Sequence, residues 1–306
     1  MKLANDDFRN SSAKGPAGLG ESPVLWTAPL FLMLLLVFIY PLLEVIRFSL
    51  TNARIGQLSY SYTLDSFLAF FHDQGFADML RVTGIFVTFS VLCQLLLGFL
   101  IAFSVTEGEK LQLRGTVLIR TIVLISMVIP GAIIGIIWRM MYNEAPGGLL
   151  NYLLTMVGAG PIRFLSDPVI AVISATVANV WRGTAQSMIL LYAGLKTVPV
   201  EIMEAAKVDG ANAWQRLTHV TIPTIMPVVL INLILNTIYT FNTFDMIMAL
   251  TGGGPGRSTE VLALSAYSQI FQMLNLGRGS AIAVFLLTIN TVMAAVYYYF
   301  MKKSEA

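Results

Sequence analysis

The chain has 306 residues, of which 56% are hydrophobic and only 12% are charged, and its formal net charge is +2. Soluble domains carry about 25% charged residues, so this composition excludes an ordinary soluble domain, and the small net charge argues against nucleic acid as a partner. The single cysteine excludes an internal disulfide and a cysteine cluster for a metal ion.

The N-terminal part of the chain divides into a polar stretch and an apolar one. Residues 1–23 mix charged residues with glycine, serine and proline, which predicts a flexible tail. The apolar block from about residue 25 to residue 47 is longer than the core of a cleaved signal peptide, which has about 7–15 residues. We therefore expect a retained membrane-spanning helix at this block.

Five further apolar blocks follow, and each is long enough to cross a bilayer as a helix of about 20 residues. Strands of a β-barrel would alternate in polarity over about ten residues, and this pattern is missing. The predicted spans cover residues 25–47, 80–105, 116–142, 169–193, 224–250 and 281–301. Since backbone groups in lipid must bond internally, the sequence predicts an all-α polytopic membrane protein with six transmembrane helices, in a domain of residues 24–303.

Glycines and polar side chains recur at helical spacing inside three of these predicted spans. Polar groups in lipid are costly, which makes them candidates for a transport pathway, although they can also simply hold helices together. In the third span Gly131 and Gly135 form a G-x-x-x-G pair, for which close helix packing is the favoured interpretation. The pathway candidates are Gly131 in the third span, Asn179, Gly183 and Gln186 in the fourth, and Asn236, Thr240 and Thr243 in the fifth.

A polar stretch, residues 197–223, separates the fourth and fifth predicted spans. Pro199 suits the first turn of a helix, because its missing N–H is not needed there. Glu201 and Glu204 lie near the helix N-terminus, where the helix dipole favours acidic groups. Gly210 can end the helix in the left-handed conformation.

A second short helix fits residues 212–221 of this stretch. Ala213, Leu217 and Val220 lie on one face of it, as an apolar stripe. Pro223 is predicted to mark the return into the membrane. The stretch is therefore predicted to form two short helices joined by a tight turn.

Lysine and arginine are unequally divided between the two sets of predicted loops. Ten lie in the tails and in the loops near 106–115 and 194–223, against four in the loops near 48–79, 143–168 and 251–280. Cytoplasmic loops carry the excess of basic residues. Both termini and the 197–223 stretch are therefore predicted to be cytoplasmic.

Ordered motifs carry a resemblance to a known family. Glu204-Ala205-Ala206, followed by Asp209-Gly210 and Ile222-Pro223, resembles the EAA motif of binding-protein-dependent ABC importer permeases. Trp181-Arg182-Gly183 and the segment TGGGPGRSTEVL, residues 251–262, are similar to signatures of the sugar branch of that family. The similarity covers roughly residues 25–301, with Ile222 standing where the family has leucine.

The resemblance implies the type I ABC importer permease fold, in which residues 197–223 form coupling helices that dock on a cytoplasmic ATPase. Glu204 is the implied contact residue. The fit is set by the motif's remaining residues, Ala205, Ala206, Asp209 and Gly210. Because the chain lacks the phosphate-loop pattern G-x-x-x-x-G-K-[ST], ATP and Mg²⁺ are expected on a separate ATPase. This chain is then not an enzyme and carries no cofactor.

The resemblance further implies a permease subunit that imports a sugar across the bacterial plasma membrane by ATP-driven alternating access. The implied partners are a second permease subunit, two ATPase subunits and an extracytoplasmic sugar-binding protein. In relatives of the maltose permease the polar faces of the fourth and fifth spans contact the sugar, and Trp138, Tyr239 and Phe241 are expected nearby. A disaccharide or glycoside is the expected substrate, and a glycerol-3-phosphate-like or anionic sugar derivative is the alternative.

Two charged residues inside the predicted spans have two interpretations. Arg182 and Asp245 could form a structural pair, which is favoured, or Arg182 could bind an anionic sugar. Two other function classes also stay open. A standalone secondary transporter would often show inverted repeats, and a membrane enzyme would need clustered histidine or acidic residues within its spans. We detect neither pattern in the sequence.

Overall fold

The computed structural model describes residues 23–145 and 148–304, and the backbone of this part of the chain is mainly helical. The predicted flexible tail, residues 1–23, lies outside the described residues except for Pro23. The chain divides into two compact units, Met1–Arg47 and Phe48–Ala306. Over the described ranges, strand-like pairing is limited to one isolated antiparallel bridge between Thr51 and Tyr62.

The described part of the first unit is the first membrane-spanning helix. Helix α1 (Pro23–Leu34) continues through a π-helical turn, Leu35–Ile39, into α2 (Tyr40–Ser49). The apolar side chains along it are exposed, as in Trp26 and Phe31. The first predicted span is confirmed by a continuous apolar helix, Trp26–Ser49.

The second unit is built from long helices joined by short ones. The helices are α3 (Asp65–Phe71), α4 (Phe76–Lys110), α5 (Thr116–Val128), α6 (Gly131–Met141), α7 (Leu149–Met156), α8 (Pro168–Lys196), α9 (Val200–Val208), α10 (Ala213–Arg216), α11 (Ile222–Phe241), α12 (Asp245–Leu250), α13 (Leu262–Tyr267) and α14 (Leu276–Ser304). Four helices of the described residues are long and apolar enough to cross a membrane, or five spans if the bent pair α5–α6 counts as one. Helix α8 has 29 residues, enough length for a span, but its polar residues lower its mean hydropathy.

Two of the predicted spans are broken rather than continuous. The span predicted over 116–142 bends by 105° between α5 and α6. Pro130 disfavours the helical conformation at Ile129, which is extended. The span predicted over 224–250 is interrupted after Phe241, where Asn242 and Thr243 bond their side chains to backbone carbonyls of the preceding turn.

The segments after the two breaks, α6 and α12, pack against each other. A β-carbon built at Gly135 in α6 would lie 2.4 Å from the backbone oxygen of Met246 in α12. This distance is shorter than any van der Waals contact, so glycine is required for the approach. The close packing predicted for the Gly131–Gly135 pair thus occurs against α12.

Helices α4 and α8 also approach closely through glycine. A β-carbon built at Gly98 would lie 2.3 Å from Cβ of Ser187, and one built at Gly183 would lie 2.3 Å from Nε2 of Gln94. Small residues at helix interfaces permit such contacts in membrane proteins. The pairing of residues 94 with 183 and of 98 with 187 means that the two helices run in the same direction.

The buried apolar core forms two clusters. One includes Phe70, Phe86, Met246, Leu250 and Leu262, and the other is formed by Ala102, Met188, Leu191, Leu195 and Ile225. Along α8, the polar residues from Asn179 to Gln186 fall between the parts of the helix that enter each cluster. A polar layer therefore separates two apolar layers.

The 197–223 segment agrees with one predicted helix and corrects the other. Helix α9 begins directly after Pro199, and Gly210 has the left-handed conformation with φ +78°. The second predicted helix, residues 212–221, does not end before the membrane. Instead, α10 continues through a π-helical turn, Leu217–Thr221, into α11. Pro223 lies in the first turn of α11, where a proline does not interrupt helical bonding.

Candidate functional site

A polar cavity of about 430 Å³ opens between α8 and α11. The structure brings together around it all the pathway candidates of the fourth and fifth predicted spans. These are Asn179, Gly183, Gln186, Asn236, Thr240 and Thr243. Asn179, Gly183 and Gln186 share one face of α8. Asn236 and Thr240 share one face of α11, and Thr243 lies just beyond the end of that helix. The antiparallel packing of α8 and α11 turns both faces towards the same space. Their role in transport stays a prediction.

Hydrogen bonds between helices stabilise the cavity wall. One buried hydrogen-bond donor in the wall has no partner among the described residues. The Gln94 amide donates from Nε2 to the Asn179 carbonyl at 3.0 Å, and Asn236 donates from Nδ2 to Ser187 Oγ at 2.5 Å. Asn179 is 3% exposed, and its Nδ2 has no hydrogen-bond partner among the described residues. A buried polar atom without a partner is unusual in a folded protein, so Asn179 keeps an unused hydrogen-bond donor beside the cavity.

Two polar residues of the cavity lining were missed by sequence reasoning. Gln94 belongs to α4, and its amide fills the space left by Gly183. Its signal was an uncharged polar side chain inside an otherwise apolar span. Asn242 was missed because the fifth predicted span, residues 224–250, treated it as part of a continuous helix.

Of the three aromatic residues expected near the cavity, Tyr239 alone is among the side chains that line it. Tyr239 is 61% exposed, so its ring is accessible. Trp138 instead packs against Tyr142 and Trp181, with ring centroids 5.2 and 6.3 Å apart. Phe241 packs against the first apolar cluster.

Arg182 and Asp245 form an ion pair at the cavity. Nη1 of Arg182 lies 3.4 Å from Oδ1 of Asp245, and both side chains line the cavity. A β-carbon built at Gly131 would lie 2.1 Å from Oδ2 of Asp245 and 2.7 Å from Nη1 of Arg182. Gly131 therefore packs behind the pair at the start of α6 and does not belong to the lining, which differs from its predicted place in the pathway.

Most of the 197–223 segment is exposed or half-buried, although Thr221 near its end is buried. In α9 and α10 none of the residues is buried, and the exposed apolar side chains include Val208 (88%) and Trp214 (70%). Glu204 lines a groove of about 500 Å³ between this segment and the end of α4. The remaining motif residues, Ala205, Ala206, Asp209 and Gly210, lie on the same segment, and none of them is buried. Their contact with a partner stays a prediction.

The second half of this segment begins with a capping box that the sequence reasoning missed. Asn212 accepts a hydrogen bond from the Gln215 N–H at 2.9 Å, and the Gln215 side chain accepts one from the Asn212 N–H at 2.8 Å. This reciprocal pair satisfies backbone donors at the start of a helix. The signal was present as asparagine followed by glutamine three residues later.

A charged network ties together the ends of α4, α5 and α8 beside this segment. The carboxylate of Glu109 accepts a hydrogen bond from the Tyr192 hydroxyl at 2.8 Å and pairs with Lys196 Nζ at 2.6 Å. Arg120 donates from Nη1 to the Tyr192 oxygen at 3.0 Å. The network fixes the end of α8, from which the 197–223 segment departs.

A second charged network lies at the opposite end of α4. Asp73 accepts a hydrogen bond from the Gly75 N–H at 2.8 Å, pairs with Arg257 at 3.2 Å, and also pairs with Arg278. Arg257 pairs in addition with Glu260. Burial raises the pKa of Asp73, but the Gly75 N–H and the two guanidinium groups outweigh it, so that the pKa is lowered from its ordinary value.

Potential metal ligands are scattered over the structure. No group of three or more His, Cys, Asp and Glu side chains in residues 23–145 and 148–304 is arranged to hold a metal ion.

Comparison with known proteins gives a family match over most of the chain. The family model described as "Binding-protein-dependent transport system inner membrane component" matches residues 94–305. The chain is 36% identical, over 71% of each sequence, to the trehalose/maltose transport system permease protein MalF of Thermococcus litoralis. It is 30% identical to the sn-glycerol-3-phosphate transport system permease protein UgpA of Agrobacterium fabrum, over 92% of this chain and 94% of that one.

Among solved structures, the chain is similar to a bacterial ABC transporter involved in the import of the acidic polysaccharide alginate. The TM-score is 0.77 at 19% sequence identity, and the match covers 92% of this chain and 95% of that one. At this identity the likeness shows a shared fold.

Proposed function

Because the chain belongs to the family of binding-protein-dependent transport system inner membrane components, we propose that it is the permease subunit of an ATP-driven ABC importer. The proposed cargo is a sugar, most simply a disaccharide or glycoside, carried across the bacterial plasma membrane. The observation that carries this proposal is the cavity between α8 and α11, lined by amide and hydroxyl groups from both helices.

The chemistry of this cavity suits a polyhydroxylated ligand. Asparagine and glutamine amides both donate and accept hydrogen bonds, and threonine hydroxyls do the same, which matches the hydroxyls of a sugar. The accessible ring of Tyr239 provides an apolar face against which a pyranose can pack. The volume of about 430 Å³ lies within the range of about 300–1,000 Å³ that is usual for small-molecule sites.

ATP and Mg²⁺ are proposed to bind to a separate ATPase, which would contact the 197–223 segment. The exposed apolar side chains of this segment, such as Val208 and Trp214, are typical of a surface that a partner covers. Glu204 is the proposed ionic contact. Ala205, Ala206 and Gly210 keep the surface thin enough for close docking, and Asp209 contributes to the fit. Both termini and this segment are proposed to be cytoplasmic, in keeping with the excess of basic residues on that side.

One helical run would transmit a movement of the 197–223 segment to the cavity. Residues from Ala213 to Phe241 form a continuous helical run of 29 residues, which includes Asn236 and Thr240 of the cavity wall. A force applied by the ATPase near Trp214 would therefore shift the wall itself. The breaks before α6 and α12 supply non-helical joints at which the opposite end of the cavity can open, and hinges of this kind absorb large backbone changes.

The proposed assembly contains a second permease subunit, two ATPase subunits and an extracytoplasmic sugar-binding protein. The second permease would complete the cavity. The binding protein would dock on the loops near 51–79, 143–168 and 251–280. A glycerol-3-phosphate-like or anionic sugar is the second candidate for the cargo, favoured by the similarity to UgpA and by the presence of Arg182 in the cavity.

The test is ATP hydrolysis by the assembled transporter. The chain, its partner permease and the ATPase are reconstituted in vesicles with the sugar-binding protein, and neutral disaccharides and anionic sugars are compared. We expect sugar-stimulated hydrolysis with uptake into the vesicles, and we expect no hydrolysis when the ATPase chain is omitted. Uptake that continues without any ATPase would overturn the proposal in favour of a secondary transporter.

A further inference from the structure

The charge balance of the cavity rests on two side chains. Arg182 in α8 and Asp245 in α12 are the charged residues among the described residues that line it, and the other polar lining groups are amides and hydroxyls. The two are 63 positions apart in sequence, so the pair forms only when α12 folds back on the cavity. With the pair in place, the lining has no net charge.

The geometry of the pair leaves both charged groups able to contact a ligand. The Nη1–Oδ1 distance is 3.4 Å, and the side chains of Arg182 and Asp245 are 34% and 36% exposed. Gly131 leaves room for the pair, because a β-carbon at this position would collide with both charged groups. Both charged side chains line the cavity and keep part of their surface exposed.

These facts have opposite consequences for neutral and anionic ligands. A hydroxyl can accept a hydrogen bond from an unused guanidinium N–H and donate one to the carboxylate without separating the pair. A carboxylate or phosphate on the ligand has to compete with Asp245 for Arg182, and it meets like-charge repulsion from Asp245 as it approaches. Unfavourable contacts with the wrong ligand are a general source of specificity.

We infer that Asp245 is a specificity-determining residue, which neutralises Arg182 and restricts the cavity to uncharged sugars. This inference rests on the proposed transport of a sugar and names the class of sugar. Gly131 acts as a positioning residue, since it leaves the space in which the pair sits. Removal of the Asp245 charge alone converts the cavity into a site for anionic sugars.

The experiment measures direct binding to the purified complex with the sugar-binding protein left out, so that the permease cavity itself is probed. The ligands are maltose and glucuronosyl-glucose, in which a carboxylate replaces one hydroxymethyl group. For the wild-type complex we expect binding of maltose and at least about tenfold weaker binding of glucuronosyl-glucose. For Asp245→Asn we expect the ratio of glucuronosyl-glucose affinity to maltose affinity to rise about tenfold or more.

The matched control is Asp78→Asn, which makes the same charge change at an exposed position of α4 outside the cavity. It should leave the affinity ratio unchanged. The mirror variant Arg182→Gln exposes the Asp245 charge, so the ratio for a glucosaminyl-glucose cation over maltose should rise about tenfold. This second variant keeps the inference testable even if Asp245→Asn does not assemble.

The outcomes separate the inference from the proposed function. If the wild type binds maltose and neither variant changes its charge preference, the inference fails and sugar transport stands. If the wild type prefers glucuronosyl-glucose, the inference fails and the cargo is an anionic sugar. If the wild type binds neither neutral nor charged sugars, and neither stimulates ATP hydrolysis in the reconstituted importer, the proposed function fails as well.

Discussion

The two ends of α4 lie beside regions of opposite character. Near its start, the cap formed by α12, α13 and the loop between them buries large side chains almost completely, among them Met246, Ile247, Leu262 and Leu264 at 0–1% exposure. Near its end, α9 and α10 bury none of their residues. The cap thus buries its apolar surface within the chain, whereas the 197–223 segment leaves apolar side chains exposed.

The same contrast appears in the charges. At the cap, Asp73 pairs with both Arg257 and Arg278, which lie far from it in the sequence. In the 197–223 segment, by contrast, Glu204 is exposed and lines an open groove. Changes in the cap should therefore alter stability, and changes in the segment should alter association.

The largest expected effect comes from reversing the charge of Glu204. In the variant Glu204→Lys we expect about tenfold or more less ATPase to co-purify with the permease, because a like charge would face the proposed basic contact on the ATPase. Membrane insertion and thermal stability should not change. The measurement is the ratio of ATPase to permease after affinity purification.

The control for this reversal is Asp65→Lys, an exposed acidic residue at the first turn of α3. It should leave association intact. Full ATPase binding and normal uptake by Glu204→Lys would remove the assigned role of the segment.

The next effect concerns packing beneath the cap. In Gly135→Ala the new β-carbon would collide with the backbone of Met246, and such overpacking typically costs about 1–3 kcal/mol. We expect a lower midpoint in thermal unfolding of the detergent-solubilised protein. The comparison variant is Gly84→Ala in α4, where a β-carbon meets nothing within 4 Å, and a gain of about 0.5–1 kcal/mol is expected. Equal effects of the two changes would argue against the close contact of α6 and α12.

The smallest effect comes from the charged network of the cap. Asp73→Asn removes the carboxylate that pairs with two arginines, and we expect a loss of about 1–2 kcal/mol in unfolding free energy at pH 7. Because folding lowers the pKa of Asp73, its contribution is present above the ordinary aspartate value and is lost as the pH falls through the folded value. The difference between wild type and variant should therefore shrink below about pH 4. A difference that stays constant down to pH 3 would exclude this origin.

A structural feature could be predicted from the sequence when the residues that cause it are close together in the chain. Pro199 and Gly210 bound α9 through their own backbone preferences, and both limits are found in the structure. The spacing of Asn179, Gly183 and Gln186 specifies one face of a helix, whatever packs on it. These features follow from short stretches of chain.

The features that were missed depend on distant parts of the chain. Gln94 enters the cavity because Gly183 leaves room for it. The sequence around residue 94 does not indicate that this glycine will lie opposite it. The pairs of Asp73 with Arg257 and Arg278 join positions 184 and 205 residues apart. The sequence also predicted α11 and α12 as one span. The polar side chains at the end of α11 are too few to lower the mean hydropathy over the length of a span.

The polarity of α8 has a consequence for how the protein is made. Asn179, Arg182 and Gln186 make α8 costly to leave alone in lipid, since an arginine near the middle of an inserting helix costs about 2.5 kcal/mol or more. Helix α4 precedes it in the chain and offers the matching surface, with Gln94 bonded to Asn179 and Gly98 set against Ser187. We therefore expect α8 to leave the translocation machinery together with α4, as a preformed pair.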